Sequence, residues 1–163
     1  MKHLLFAVVV ALTGCMSGPR PVPKSPLEIR AIQTREYSTR DTKMVMKALL
    51  NVLLDEGFIA KNAVTELGLI TAAKEDDLED SSNAFLNQML MGSEARWQKN
   101  AIVEASANVS EFGDETRVRI TFQRKVYDNH GAVISVQTLD DPLYYQNFFS
   151  KVDKGIFIQK QRI

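Results

Sequence analysis

Cysteine and histidine are scarce in this chain of 163 residues: Cys15 is the single cysteine, and His3 and His130 are the two histidines. One cysteine excludes a disulfide framework or a cysteine-rich metal site. A histidine-based triad or metal site beyond the first 14 residues would have to use His130, and the surrounding Asp-Asn-His-Gly sequence is typical of a hairpin turn. Basic and acidic residues number 20 each, so no net positive charge favours nucleic-acid binding.

Catalytic motifs are also missing. The glycines are widely separated, so no glycine-rich phosphate loop is present. The acidic residues 76–80 lack the glycine and the ligand spacing of a calcium loop, and Ser81 and Ser82 have no base nearby in the sequence. We therefore predict a protein that is not an enzyme and that has no metal and no cofactor.

No apolar run is long enough to span a bilayer. Residues 4–12 are uninterruptedly apolar, but nine helical residues rise only about 14 Å against a hydrocarbon core of about 30 Å. They follow a short segment containing Lys2, which is the pattern of a secretory signal. The segment ends in Leu12-Thr13-Gly14-Cys15.

This ending resembles the lipobox of bacterial lipoproteins. The resemblance implies cleavage after residue 14 and a diacylglyceryl group on Cys15, whose freed amine is then acylated. Aspartate directly after the cysteine commonly retains such proteins in the inner membrane, but this position is Met16 here. The resemblance therefore implies anchoring in the inner leaflet of the outer membrane, facing the periplasm.

Proline is concentrated next to the expected anchor. Residues 15–26 hold four of the five prolines, which predicts a semi-extended tether rather than a helix or a central strand. Ten such residues at about 3.1 Å each would span about 30 Å. The remaining residues, 27–163, are predicted to form one domain.

The first half of this domain mixes strands with one strongly amphipathic helix. Residues 30–37 are expected to form a strand, followed by a helix over 42–56 that ends at Gly57. Two strands are then predicted, over 58–60 and 67–73, with a polar turn around 62–66. We expect residues 75–82 to form a solvated acidic segment and residues 83–99 to be compatible with a helix.

The second half alternates apolar and polar residues, which predicts half-buried antiparallel strands. The alternation is clear around Val103–Val109, Val118–Val126 and Val133–Thr138. A final helix opens at Asp141-Pro142 and has an apolar face that includes Leu143 and Phe148. The predicted fold is α+β, a single antiparallel sheet with two main helices packed on one face, in the order β-α-β-β-(α)-β-β-β-α.

Arg117, Arg119, Arg124 and Lys125 form the one concentrated basic patch in the sequence. Either it is an ordinary solvated sheet face, or it binds an acidic partner or a lipid headgroup. The nearby Asp140 and Asp141 are placed where they could neutralise it within the domain.

Residues 35–74 carry a further pattern: an Arg-x-aromatic-x-Thr strand, a helix ending in Asp-x-Gly-Phe, and then Gly-x-Ile-x-Ala-x-Lys. This pattern resembles a group of uncharacterised bacterial outer-membrane lipoproteins. The helix followed by Gly-Phe and a Gly-Leu-Ile strand is also similar to the helix-grip domains of BamC, an accessory lipoprotein of outer-membrane protein assembly. The resemblance implies a fold and a location, and no activity.

Two functions follow as hypotheses. The first is a membrane-anchored envelope lipoprotein whose periplasmic domain binds other envelope proteins in assembly or secretion, with no nucleic-acid partner. The alternative is a small-molecule or lipid carrier with an apolar pocket between sheet and helix. Its candidate lining residues are Phe85, Met89, Trp97, Phe148 and Phe149.

Overall fold

The computed structural model describes residues 24–77 and 98–161 as an antiparallel sheet with three helices. In chain order the elements are α1 (Pro26–Ile32), β1 (Thr34–Tyr37), α2 (Thr42–Asp55), β2 (Ile59–Val64), a 3₁₀ turn (Thr65–Leu67), β3 (Leu69–Asp77), β4 (Gln98–Phe112), β5 (Glu115–Asp128), β6 (Val133–Thr138) and α3 (Pro142–Gln161). The predicted α+β class and its single antiparallel sheet are confirmed, and α1 is an addition.

The sheet is built around β5, which has three neighbours. The path runs β2-β3-β4-β5, and β1 and β6 both pair with the remaining edge of β5. β1 lies opposite Thr116–Arg119, whereas β6 lies opposite Gln123–Tyr127. The two short strands therefore share one edge of β5, end to end, with a gap between them.

The core lies between one face of the sheet and the helices α2 and α3. Val118, Ile120 and Phe122 alternate along β5 with more exposed residues and are fully buried. The ring of Phe122 contacts the rings of Phe58, Tyr144, Tyr145 and Phe148, at centroid distances of 5.1 to 5.8 Å. Such tilted and edge-on ring pairs add to the stabilisation that burial provides.

The amphipathic helix predicted over 42–56 is confirmed as α2. The Asp41 side chain accepts a hydrogen bond from the Met44 backbone N–H at 2.9 Å, which caps the first turn. Gly57 follows the last turn with a φ of +84°, as expected of a residue that ends a helix in the left-handed conformation. Leu54, although apolar, is exposed.

The strand predicted over 30–37 is wrong in its first half, because residues 26–32 form α1. Ser25 and Glu28 make a capping box: the Ser25 hydroxyl accepts from the Glu28 N–H at 3.3 Å, and Glu28 accepts from the Ser25 N–H at 2.7 Å. Pro26 occupies the first helical position, where proline is tolerated. Ser25 and Pro26, assigned to the tether from sequence, therefore begin the helix.

The turn between β2 and β3 lies later than predicted. β2 continues to Val64, through the residues expected to turn, and the 3₁₀ turn at Thr65–Leu67 is followed by Gly68 in the left-handed conformation. β3 begins at Leu69 and extends to Asp77, so the first residues of the predicted acidic segment belong to a strand.

The predicted helix over 83–99 lies outside the described residues, except that Gln98 and Lys99 begin β4. In α3, Leu143 is exposed rather than part of the buried face. The helix continues to Gln161.

Tyr145 fills the gap that β1 and β6 leave along β5. Its hydroxyl accepts hydrogen bonds from the Phe122 N–H at 3.3 Å and from the Gln33 side-chain amide at 3.4 Å, and it donates to the Leu139 carbonyl at 3.1 Å. On either side, the Ile120 N–H donates to the Gln33 carbonyl and the Leu139 N–H donates to the Phe122 carbonyl, both at 2.9 Å. One side chain thus bridges two strand ends.

Tyr37, at the end of β1, has a hydroxyl that lacks such hydrogen bonds. Tyr37 is 9% exposed, and its hydroxyl makes no hydrogen bond of normal geometry among the described residues, although the Asp153 carboxylate lies near enough to act on it. Burial, reinforced by the negative charge of Asp153, raises the pKa of this phenol above its ordinary value of 10.0. The folded protein therefore holds this proton more tightly than the unfolded chain does.

We expect Tyr37→Phe to leave the free energy of unfolding unchanged at pH 8 or to raise it by up to about 1 kcal/mol, because an unsatisfied polar group is removed. Above about pH 10 the unfolded phenol ionises first, so the wild-type protein loses stability as the pH rises. The Tyr37→Phe variant should lose less stability over the same pH range. Urea unfolding at several pH values measures both effects, and an identical loss of stability in the two proteins would contradict the assignment.

Candidate functional site

The four basic residues predicted as a partner surface do not share one face of β5. Arg117, Arg119 and Lys125 occupy alternate positions and lie on the face turned away from α2 and α3. Arg124 has the opposite parity, that of Val118 and the other core residues, so its side chain leaves the strand on the helix side. We therefore remove Arg124 from the candidate surface.

Arg117 is already engaged within the domain. Its Nε and terminal nitrogen lie 2.9 and 2.7 Å from the same Glu36 oxygen, and its guanidinium lies 3.3 Å from the ring centroid of Phe112. A surface ion pair of this kind is worth about 0 to 1 kcal/mol, so it positions the side chain more than it stabilises the fold. Glu36 comes from β1, the strand paired with this part of β5.

Lys125 and Arg119 differ in their partners. Lys125 donates to Glu104 at 2.7 Å, and this hydrogen bond raises the pKa of the lysine. Arg119 is exposed, and within residues 24–77 and 98–161 no carboxylate lies within ion-pair distance of it. Of the predicted basic residues on this face, Arg119 is therefore the one available to an outside anion.

Arg119 and Arg117 also line a cleft with residues of α1. We call it the arginine cleft: it has a volume of about 440 Å³ and is lined by Leu27, Arg30, Ala31, Thr34, Glu36, Arg117 and Arg119. Three arginines and one glutamate are among its lining residues. Arg30 was not predicted to lie at this site, because residues 30–37 were interpreted as a continuous strand; the Ser25–Glu28 capping pair is the signal that places Arg30 on a helix.

The edge formed by β6 is the most open part of the described sheet. β6 pairs with β5 on one side, and all six of its residues are exposed. Its sequence, Val-Ile-Ser-Val-Gln-Thr, contains no charge and no proline. Val136 is 58% exposed, and Val133 and Ile134 are about half exposed. Natural sheets usually protect such an edge, so the open edge of β6 is a candidate for strand pairing.

The opposite edge, β2, is better protected. A register shift between Ala60 and Asn62 leaves Lys61 as an extra residue in the ladder. Bulges and edge lysines both discourage an additional strand. The two edges of the sheet therefore differ, and β6 is the better candidate for pairing.

His130 lies in the β5–β6 turn, as predicted. The Asp128 side chain accepts hydrogen bonds from the backbone N–H groups of His130 and Ala132, at 2.9 and 2.8 Å, and Gly131 has a φ of +82°. Within the described parts of the chain, no group of three or more histidine, cysteine, aspartate or glutamate residues could hold a metal ion.

The residues proposed for the carrier hypothesis fall into two groups. Phe148 and Phe149 are buried and contact each other at a centroid distance of 5.9 Å, so they are core residues. Phe85, Met89 and Trp97 lie outside the described residues, as does Cys15. The rings of Phe148 and Phe149 therefore give no support to an apolar ligand pocket.

No protein-family model matches the chain, and no curated protein matches it. None of the helices within residues 24–77 and 98–161 is both long and apolar enough to cross a membrane. Function has to be inferred from the residues and their geometry.

Proposed function

We propose that this chain is a non-enzymatic lipoprotein, anchored through Cys15 in the inner leaflet of the outer membrane, whose periplasmic domain binds another envelope protein in assembly or secretion. The lipobox-like Leu12–Cys15 segment supports the anchor. The observation that supports partner binding is the exposed, uncharged edge of β6.

The binding mode that fits this edge is strand addition. The Leu139 N–H donates to the Phe122 carbonyl, so the backbone groups of Leu139 face β5. Every second residue along β6 has the same direction, so the backbone groups of Gln137 and Ser135, opposite Arg124 and Val126, also face β5. Because backbone groups alternate in direction along an antiparallel strand, the N–H and C=O of Val136 point away from the sheet. An extended segment of a partner would pair with these groups.

This proposal predicts that Val136→Pro abolishes partner binding without unfolding the domain. Proline removes an outward-facing N–H and places its ring against the incoming strand, and an edge strand tolerates it at such a position. A photo-crosslinking residue in place of Ile134, in intact cells, reports contact with other envelope proteins. We expect adduct yield to fall by about tenfold or more, the effect of losing about 1.4 kcal/mol of binding free energy.

Val136→Thr is the matched control, because it keeps the N–H and the β-branched shape and should keep the adducts. Adducts that survive Val136→Pro, or that disappear equally in Val136→Thr, would contradict strand addition. The anchor is tested separately: the mass of the mature protein should include acyl groups on Cys15, and an unmodified thiol would contradict the lipoprotein assignment.

A further inference from the structure

We propose that the arginine cleft binds the phosphate group of an anionic phospholipid headgroup in the membrane that carries the anchor. This inference rests on the lipid anchoring proposed above and adds a second, non-covalent contact with the same membrane. Four features of the cleft support it: its charge, its free guanidinium groups, its exposed leucine and its distance from the anchor.

The charge of the cleft is positive and incompletely neutralised. Arg30, Arg117 and Arg119 face one carboxylate, that of Glu36, which is paired with Arg117. Within the described residues, neither Arg30 nor Arg119 has an ion-pair partner. Two guanidinium groups are thus left around an open volume, and the planar donor fork of arginine matches the oxygens of a phosphate.

Glu36 also has a role in this arrangement. By holding Arg117 from β1, it fixes one wall of the cleft, so the guanidinium is pre-positioned rather than free to swing into solvent. The cleft is open to solvent, and its volume of about 440 Å³ leaves room for a phosphate together with the polar group attached to it.

Leu27 gives the cleft an apolar rim. It is 77% exposed, and α1 contains no buried residue, so this helix presents an apolar side chain next to the arginines rather than burying it in the domain. An exposed leucine beside basic groups suits the boundary between headgroups and acyl chains, where both kinds of surface find partners.

The anchor keeps this cleft close to the membrane. Lys24, the first of the described residues, donates from Nζ to the Asp140 carbonyl and lies 3.7 Å from the Asp140 carboxylate, which places it beside the start of α3. Leu27 follows Cys15 by twelve positions in the sequence, which limits the span between them to about 40 Å. Of the surfaces described above, the cleft is the one built on the helix that follows the tether.

A lipid headgroup fits better than the other polyanions. Three arginines in a chain with equal numbers of acidic and basic residues do not form the extended basic surface that a nucleic acid requires. An acidic peptide would satisfy the guanidinium groups but would not account for Leu27 at the rim. Acidic peptide and free phosphate are therefore competing outcomes of the experiment rather than the assignment.

Native mass spectrometry of the full lipoprotein, released from neutral detergent micelles, can test the cleft. Dioleoyl phosphatidylglycerol is titrated against the wild type, Arg30→Gln, Arg119→Gln and Arg124→Gln. Arg124→Gln is the matched control, since it removes the same charge from the same strand on the other face. We expect Arg30→Gln and Arg119→Gln each to weaken phosphatidylglycerol binding about fivefold, the usual effect of one arginine at an anionic membrane surface, and Arg124→Gln to change it little.

Parallel titrations with dioleoyl phosphatidylcholine, inorganic phosphate and hexaglutamate identify the source of the anion. If all three bind more weakly than phosphatidylglycerol, the lipid assignment is supported. Equal or tighter binding of any of them overturns it, as does an equal loss in Arg124→Gln. The same spectra show whether Cys15 is acylated, so an unmodified thiol with cleft-dependent lipid binding would contradict the anchor and leave the cleft standing. All variants replace partly or fully exposed residues, and thermal unfolding confirms that they are folded.

Discussion

Gly68→Ala should destabilise the domain more than any other single methyl addition at the described glycines. Gly68 has a φ of +62°, a conformation that costs an L-residue roughly 1 to 2 kcal/mol. A Cβ atom built there would lie 1.9 Å from the Val109 carbonyl oxygen, which is backbone of a central strand. The Gly68 carbonyl also accepts a hydrogen bond from the Val109 N–H at 2.8 Å, so the two segments cannot separate without breaking it.

We expect Gly68→Ala to lower the free energy of unfolding by about 3 to 5 kcal/mol, which is the range of severe backbone and packing defects. Urea unfolding followed by circular dichroism measures it. Gly131→Ala is the control, because Gly131 has a φ of +82° but no atom within 4 Å of the added carbon. Gly131→Ala should lower the free energy of unfolding only by the cost of the left-handed backbone conformation, about 1 to 2 kcal/mol. Equal losses in the two variants would show that the contact with Val109 does not matter.

Sequence patterns predicted best the elements that depend on residues close together in sequence or on a regular apolar repeat. The apolar residues of α2 repeat on one helical face and end at Gly57, so the sequence alone defines both the helix and its end. The β4–β5 hairpin also alternates over its central part, because one face is buried there and the other faces water.

The errors arose where two signals compete within a few residues. Apolar residues around Leu27–Ile32 suit a strand or a short helix equally, and the capping box at Ser25 decides between them. The β2–β3 turn was placed on polar residues, yet Gly68 governs it, because that glycine lies against the backbone of β4. A contact with a strand 41 residues away in sequence has no local signature.

The candidate site shows the same division. Alternation along β5 was sufficient to place Arg117, Arg119 and Lys125 on one face, and applied strictly it would also have excluded Arg124. The arginine cleft could not be derived in this way, because Arg30 reaches it from α1. The open edge at β6 likewise depends on knowing that β1 and β6 share one side of β5.

That shared edge explains the second large effect, which we expect from Tyr145→Phe. Between the first residue of β1 and the last residue of β6, the Phe122 N–H has no strand partner and donates to the Tyr145 hydroxyl instead. Gln33, only 3% exposed, depends on the same hydroxyl for its side-chain amide, and the Leu139 carbonyl accepts its proton. Removing one oxygen takes a partner from three polar groups, but the two hydrogen bonds that it accepts are long, at 3.3 and 3.4 Å, so the expected cost is that of about one unsatisfied buried group, about 1 to 3 kcal/mol.

We expect Tyr145→Phe to lower the free energy of unfolding by about 2 to 3 kcal/mol, with the loss concentrated at the junction between β1 and β6. Hydrogen exchange should show faster exchange of the Ile120, Phe122 and Leu139 amides. Tyr144→Phe is the matched control, because the structure gives its hydroxyl no hydrogen bond within the described residues, and it should change stability by less than about 0.5 kcal/mol. If Tyr145→Phe were as mild as Tyr144→Phe, then the strand ends on β5 would be held by their own backbone bonds, and the hydroxyl would be incidental.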